Sequence, residues 1–137
     1  MALKTARIVL VEDNPADVLL VRKALQEKGI AVDLTCFDDG QQALKSLSKQ
    51  GLKAPDLILL DLNLPNIEGV EVLREVRNIP SLAGVPVVIL TSSASPVDIH
   101  RTALLGAARF ISKPSGLEDF LREVGGGVEE MLLASGW

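Results

Sequence analysis

Five short apolar runs, each followed by a longer stretch whose apolar residues recur at helical spacing, dominate this 137-residue chain. They are Arg7 to Val11, Val32 to Cys36, Asp56 to Leu60, Val85 to Leu90 and Arg109 to Ser112. Their length of four to six residues and their content of Val, Ile and Leu are those of strands. Alternation with helical segments is the pattern of repeated βα units, so the predicted class is α/β with a parallel sheet. Several runs are apolar without alternation, as strands buried on both faces are.

The helical segments carry their own punctuation. Asn14 is placed as an N-cap with Pro15 in the first turn, and Val18, Leu19, Val21 and Leu25 are expected to be buried before Gly29 ends the helix. Asp38-Asp39-Gly40 turns into a helix with Ala43, Leu44 and Leu47, and Gly51 to Pro55 form a loop into the third strand. Val70, Val72, Leu73 and Val76 mark the next helix, closed by Asn78-Ile79-Pro80, and Ser95-Pro96 opens a fourth with Ile99, Ala103 and Leu104. The last segment, Leu117 to Leu133, spaces Leu117, Phe120, Leu121, Val124, Val128 and Leu132 helically but contains Gly125-Gly126-Gly127. Three helical glycines cost on the order of 3 kcal/mol relative to alanine, which leaves a break and a continuous helix both open. A single domain over residues 1–137 is expected, with a core of about 6–124 and a helical extension of about 125–137.

Composition removes several functions. A net charge of -4 and an aromatic share of 3% argue against a nucleic-acid partner, which needs clustered cations or stacking rings. One cysteine, Cys36, permits no internal disulfide and reads as a small buried hydrophobe. With His100 as the one histidine, a metal site would have to be built from oxygen ligands. The apolar run Ile8 to Val11 stops at Glu12-Asp13, too short for a signal peptide core, and no segment approaches the ~20 apolar residues of a membrane span. The expectation is a cytoplasmic protein with no membrane contact.

In open α/β sheets ligands bind beyond the carboxyl ends of the strands, so the residues there carry the chemistry. They are Glu12-Asp13, Asp61, Thr91-Ser92 and Lys113-Pro114. Each has a structural reading: Asp13 beside a helix N-terminus, Glu12 as a solvated strand end, Asp61 in a turn, Thr91-Ser92 as a cap and Lys113 as a surface lysine. Their conjunction says more. If the first and third strands are neighbours, Glu12, Asp13 and Asp61 converge, and carboxylates that close require a raised pKa, a cation or a nearby lysine. Lys113 lies at the same edge, and a hard ion such as Mg2+ suits oxygen ligands with room for water and a phosphoryl group.

At these residues the chain resembles the receiver domains of bacterial two-component response regulators. The resemblance rests on the ordered set Glu12-Asp13, Leu59-Leu60-Asp61-Leu62-Asn63-Leu64-Pro65, Thr91-Ser92, and Phe110 with Lys113-Pro114. It implies a doubly wound, flavodoxin-like five-stranded sheet in the order 2-1-3-4-5. It also implies transfer of a phosphoryl group from a sensor histidine kinase to Asp61. Asp13 and Asp61 would ligate Mg2+ directly, Asn63 through its backbone carbonyl and Glu12 through water. Thr91 and Lys113 would contact the phosphate, and Phe110 would turn inward as the protein-binding surface switches. Two departures stand out: Phe110 has no hydroxyl where a tyrosine is frequent, and the first acid is Glu rather than Asp.

The resemblance is to stand-alone, non-enzymatic members that take part in their own phosphorylation and dephosphorylation. Val11 to Asp17 and Asp61 to Pro65 are most similar to regulators associated with phytochrome-type sensor kinases. Partners implied are that kinase and a downstream protein. Apolar residues at helical spacing beyond the glycines, Val128 to Leu133, could pack back on the domain or pair with a second copy, and the expectation is a homodimer through the last helix and its neighbours. Competing readings are a phosphorylation-independent binding module and an intermediate phosphate carrier. A flavin site lacks a phosphate cradle here, and a dehalogenase-type phosphatase would place an acid where Asn63 stands.

Overall fold

The computed structural model describes residues 4–49, 53–93 and 95–137. Strands β1 (Ala6–Val11), β2 (Val32–Phe37), β3 (Leu57–Leu60), β4 (Val87–Thr91) and β5 (Arg109–Ser112) alternate with helices α1 (Pro15–Glu27), α2 (Gly40–Leu47), α3 (Gly69–Arg77), α4 (Pro96–Leu104) and α5 (Leu117–Ala134). The strands pair in parallel in the order β2-β1-β3-β4-β5, as expected of a doubly wound sheet. Of the loop predicted to lead into β3, Gly51 and Leu52 lie outside the described residues.

Two apolar layers hold the sheet. Val21, Leu25, Phe120, Val124, Val128 and Leu132 from α1 and α5 cover Ile8, Leu10, Leu57 and Leu59 on one face. Val70, Leu73 and Val76 of α3, with Ala43 of α2, cover Val9, Val11, Ile58, Leu60 and Ile89 on the other. β1, β3 and β4 are buried on both faces, whereas the edge strand β2 alternates. That edge position corrects one expectation: Cys36 is exposed near the end of β2, where Arg22 of α1 reaches its Sγ at 3.9 Å without covering it. Leu19 is likewise exposed, at 67%, on the side of α1 turned away from the sheet. In α4 the buried side chain is Thr102, while Ile99, Ala103 and Leu104 face outward.

α1 begins as its sequence dictates, with the Asn14 side chain accepting from the Ala16 amide at 2.9 Å. Gly29, at a φ of +70°, closes it. α5 runs unbroken through its glycines, and the reason is contact. A Cβ on Gly125 would stand 2.9 Å from the Ala24 carbonyl oxygen of α1, and one on Gly127 would stand 2.8 Å from Ile111 Cδ1 of β5. Close approach of α5 to α1 and to the sheet offsets the poor helix propensity of two of the three. Gly126 meets nothing within 4 Å.

That difference gives a paired expectation. Gly126→Ala should raise stability by up to about 1 kcal/mol through helix propensity alone. Gly125→Ala should lower it by about 1–3 kcal/mol through overpacking against α1. Urea unfolding midpoints of the two variants check both signs.

Candidate functional site

The carboxyl ends of β1, β3, β4 and β5 place the site. β1 delivers Glu12, 3% exposed, and then the exposed Asp13; β3 delivers Asp61, 4% exposed. Because β1 and β3 are neighbours in register, with Val11 opposite Leu60, the acids that follow them converge. Carboxylate oxygens of Glu12, Asp13 and Asp61 lie within 4.8 Å of one another, the one group of this kind among the described residues. Gly69 lets the chain after β3 turn back tightly, since a Cβ there would collide with the Asp61 carbonyl and Leu62 Cα. Its amide donates to the Leu62 carbonyl at 3.0 Å.

Lys113, one residue beyond β5, reaches into this acidic ground. Its Nζ donates to Glu12 Oε1 at 2.6 Å, Asp17 Oδ2 at 2.8 Å and Asp61 Oδ2 at 3.1 Å. Only 10% of its side chain is exposed. Burial pulls the pKa of the ammonium down, but the hydrogen bonds to Asp17 and Glu12 and the charges of Glu12 and Asp61 hold it above the ordinary lysine range. Burial pushes the Glu12 carboxyl from an ordinary 4.5 up to about 7; the Lys113 hydrogen bond opposes this, and the charge of Asp61 adds to it. The second Glu12 oxygen accepts from the Asn14 amide at 3.2 Å.

The remaining oxygen of Asp61 accepts from the Asn63 amide at 3.1 Å. The Asn63 side-chain amide donates in turn to Thr91 Oγ1 at 3.4 Å, and Ser93 donates its backbone N–H to the same hydroxyl at 3.3 Å. Thr91 is fully buried at the end of β4. Phe110 pairs with Ile89 and is half-buried in the layer that contains Ile89, outside the acidic cluster.

Glu12, Asp13, Asp61, Asn63, Thr91 and Lys113 therefore meet at one spot, whereas Phe110 stands apart and Ser92 is exposed. Two participants were not singled out from the sequence. Asp17 carries no signal beyond its place in a helix first turn, and the Asn63 side chain was expected to serve only through its backbone. In chemical terms the site offers a buried carboxylate with one oxygen on an amide and one on an ammonium. Beside it is an all-oxygen acidic trio suited to a hard divalent cation.

The chain matches the response regulator receiver domain family over residues 8–124 and belongs to it. It is 39% identical over 123 residues to the response regulator Rcp1 of Synechocystis sp., spanning 87% of this chain and 84% of that protein. The Mn(2+)-bound crystal structure of Rcp1 superposes with a TM-score of 0.81 at 38% identity, covering 88% of this chain and 90% of that one. The phosphorylated cyanobacterial phytochrome response regulator RcpA is similar at 37% identity, with a TM-score of 0.87 and 96% of each chain covered. The receiver domain of the Pseudomonas aeruginosa sensor kinase PA1611, solved with magnesium in its active-site cleft, matches at 29% identity and a TM-score of 0.69, covering 90% of this chain and 99% of that one. Relatives of this chain thus hold divalent metal ions.

The raised Glu12 value has a direct consequence for pH. A carboxyl whose folded-state pKa is raised contributes stability below about 4.5, and that contribution is lost as pH rises through about 7. In metal-free protein, the carbon-13 signal of the Glu12 carboxyl should titrate with a midpoint near 7. Lys113→Met, which removes the hydrogen bond and charge that lower the value, should move that midpoint higher.

Proposed function

We propose that this receiver domain accepts a phosphoryl group on Asp61 from the phosphohistidine of a sensor histidine kinase and switches its protein-binding surface in response. The observation that carries the reading is Asp61 itself: buried at the end of β3, with Lys113 Nζ 3.1 Å from one carboxylate oxygen and the Asn63 amide 3.1 Å from the other. An Asp61 oxygen attacks phosphorus, the P–O bond forms, the P–N bond to imidazole breaks, and the electron pair leaves with the ring nitrogen. Lys113 stabilises charge on the transferring oxygens, and the Asn63 amide keeps the nucleophile oriented. Asp13 and Asp61, with the Asn63 carbonyl and with Glu12 through water, would hold Mg2+, which supplies charge neutralisation and alignment of the phosphoryl group.

The switch is then local. A phosphoryl group on Asp61 draws the Thr91 hydroxyl away from Asn63 and Ser93, and the room opened beside β4 lets the Phe110 ring move inward by packing alone. Two packings of the surface around α4 and β5 exchange population. The domain acts in the cytoplasm as a signalling element, contributing to its own phosphorylation and dephosphorylation rather than turning over a separate substrate. Similarity to the phytochrome response regulator RcpA supports a kinase of the phytochrome class.

A homodimer belongs to the same proposal, on a revised basis. Of the segment for which packing back on the domain and pairing with a second copy were both open, Val128 and Leu132 are fully buried against α1 and the sheet. Besides Leu19 of α1, the large apolar side chains left outside among the described residues are Leu117 and Leu133 of α5 and Val97, Ile99 and Leu104 of α4, the last five between 43% and 73% exposed. Those of α4 and α5 are the ones a second copy would cover.

With acetyl phosphate and Mg2+, intact mass should increase by one phosphoryl group in the native protein and not in Asp61→Asn. An unchanged native protein that also ignores beryllofluoride would sink the reading. Sedimentation at micromolar concentration, with and without beryllofluoride, should show a dimer that Leu104→Glu weakens; a monomer under both conditions would remove the dimer.

A further inference from the structure

Lys113 has three N–H donors, and all three are taken by carboxylates. Glu12 and Asp61 belong to the acidic trio; Asp17 does not. It sits in the first turn of α1, where negative charge is favoured by the exposed helix amides. That preference is satisfied by a side chain left in solvent. Instead Asp17 Oδ2 reaches Lys113 Nζ at 2.8 Å, closer than Asp61, and its side chain is 20% exposed. Its backbone is set by the capped helix α1 rather than by the loop bearing Glu12 and Asp13.

We propose that Asp17 is a positioning residue of the phosphoryl site, anchoring the Lys113 ammonium so that one of its N–H groups stays aimed over Asp61 for a phosphoryl oxygen. The inference rests on the phosphoacceptor reading above. A lysine side chain is long and flexible, and a single pose has to be held by more than one partner. Among the described residues, Asp17 is the one partner of the Lys113 ammonium outside the trio. Its pull is the one contact that does not draw the ammonium onto the oxygens a cation would use. Without it, Lys113 pairs with Glu12 and Asp61 alone, in competition with that cation.

The sign of the effect separates this role from simple electrostatics. Deleting a negative charge beside an anionic ligand should tighten binding by Coulomb's law. An anchor for the cation predicts the opposite. Beryllofluoride affinity, read by fluorine NMR at saturating Mg2+, should fall about tenfold in Asp17→Asn, the scale of one charge-assisted hydrogen bond. Asp17→Glu should recover most of it. In a Lys113→Ala background, where the anchored group is gone, Asp17→Asn should cost nothing further.

Native-like or tighter binding by Asp17→Asn overturns the proposal, as does an equal loss in the Lys113→Ala background. If Asp17→Asn shifts the unfolding midpoint while affinity stays native, Asp17 is a helix-terminal residue and nothing more. Failure of the native protein itself to take up beryllofluoride removes the phosphoacceptor reading and this inference together. Uptake that is indifferent to Asp17 removes this inference alone.

Discussion

One ammonium set against four carboxylates is the interaction on which this structure turns. Glu12, Asp13, Asp17 and Asp61 stand at the carboxyl edge of the sheet, and Lys113 is bonded to three of them. Buried charge is costly unless it is paired and hydrogen-bonded. Here the two most buried acids, Glu12 and Asp61, are also the two with an additional backbone N–H donor, from Asn14 and Asn63. The exposed Asp13 is left to water, which can solvate it. Burial first, and the charge of Asp61 after it, keep the Glu12 pKa raised in spite of Lys113, and a multivalent cation would complete the balance.

The position of that ammonium depends on elements far from it in sequence. Lys113 follows an edge strand and must reach past β4 and β3 to meet the residues after β1. Its own amide is fixed by the Thr91 carbonyl at 2.8 Å, which ties the start of the side chain to β4. Asp17 is fixed by α1, and α1 is fixed by α5 through the contact that Gly125 permits. The glycines of the last helix thus bear on the site: bulk at Gly125 would push α1 outward and carry Asp17 with it.

The alternation of strands and helices was legible because burial on both faces of a parallel sheet demands unbroken apolar runs, and few other folds do. The acidic and basic residues were legible as a set because they fall at equivalent places, just past successive strands. Other features were not, for definable reasons. Leu19 and Leu104 fit a helical period, but period alone does not say which of two apolar stripes meets the sheet. Cys36 reads as interior until β2 is known to be an edge. The glycines of α5 read as a possible break because their compensation, contact with Ala24 and Ile111, is tertiary. Asp17 carries only the ordinary signal of an acid in a first helical turn, because its bond to Lys113 joins positions far apart in sequence.

Asn63 shows how little is needed to join the proposed acceptor to the proposed switch. Its backbone amide holds Asp61, and its side-chain amide holds the Thr91 hydroxyl at 3.4 Å, so one residue touches both groups. The second bond is long and spent on a hydroxyl that also takes the Ser93 amide at 3.3 Å, so neither donor grips it strongly. Thr91, by contrast, has no exposed surface and cannot exchange these weak partners for water. A buried hydroxyl with two poor donors gains from any stronger acceptor brought within reach, and an anion on Asp61 is such an acceptor. Lys113 and Thr91 would then turn to the same new group from opposite sides of the site, one from a strong set of bonds and one from a weak set. On the proposed reading the lysine would keep its anchors and the threonine would give its up, so the movement would pass into β4 and the layer holding Phe110 rather than into α1.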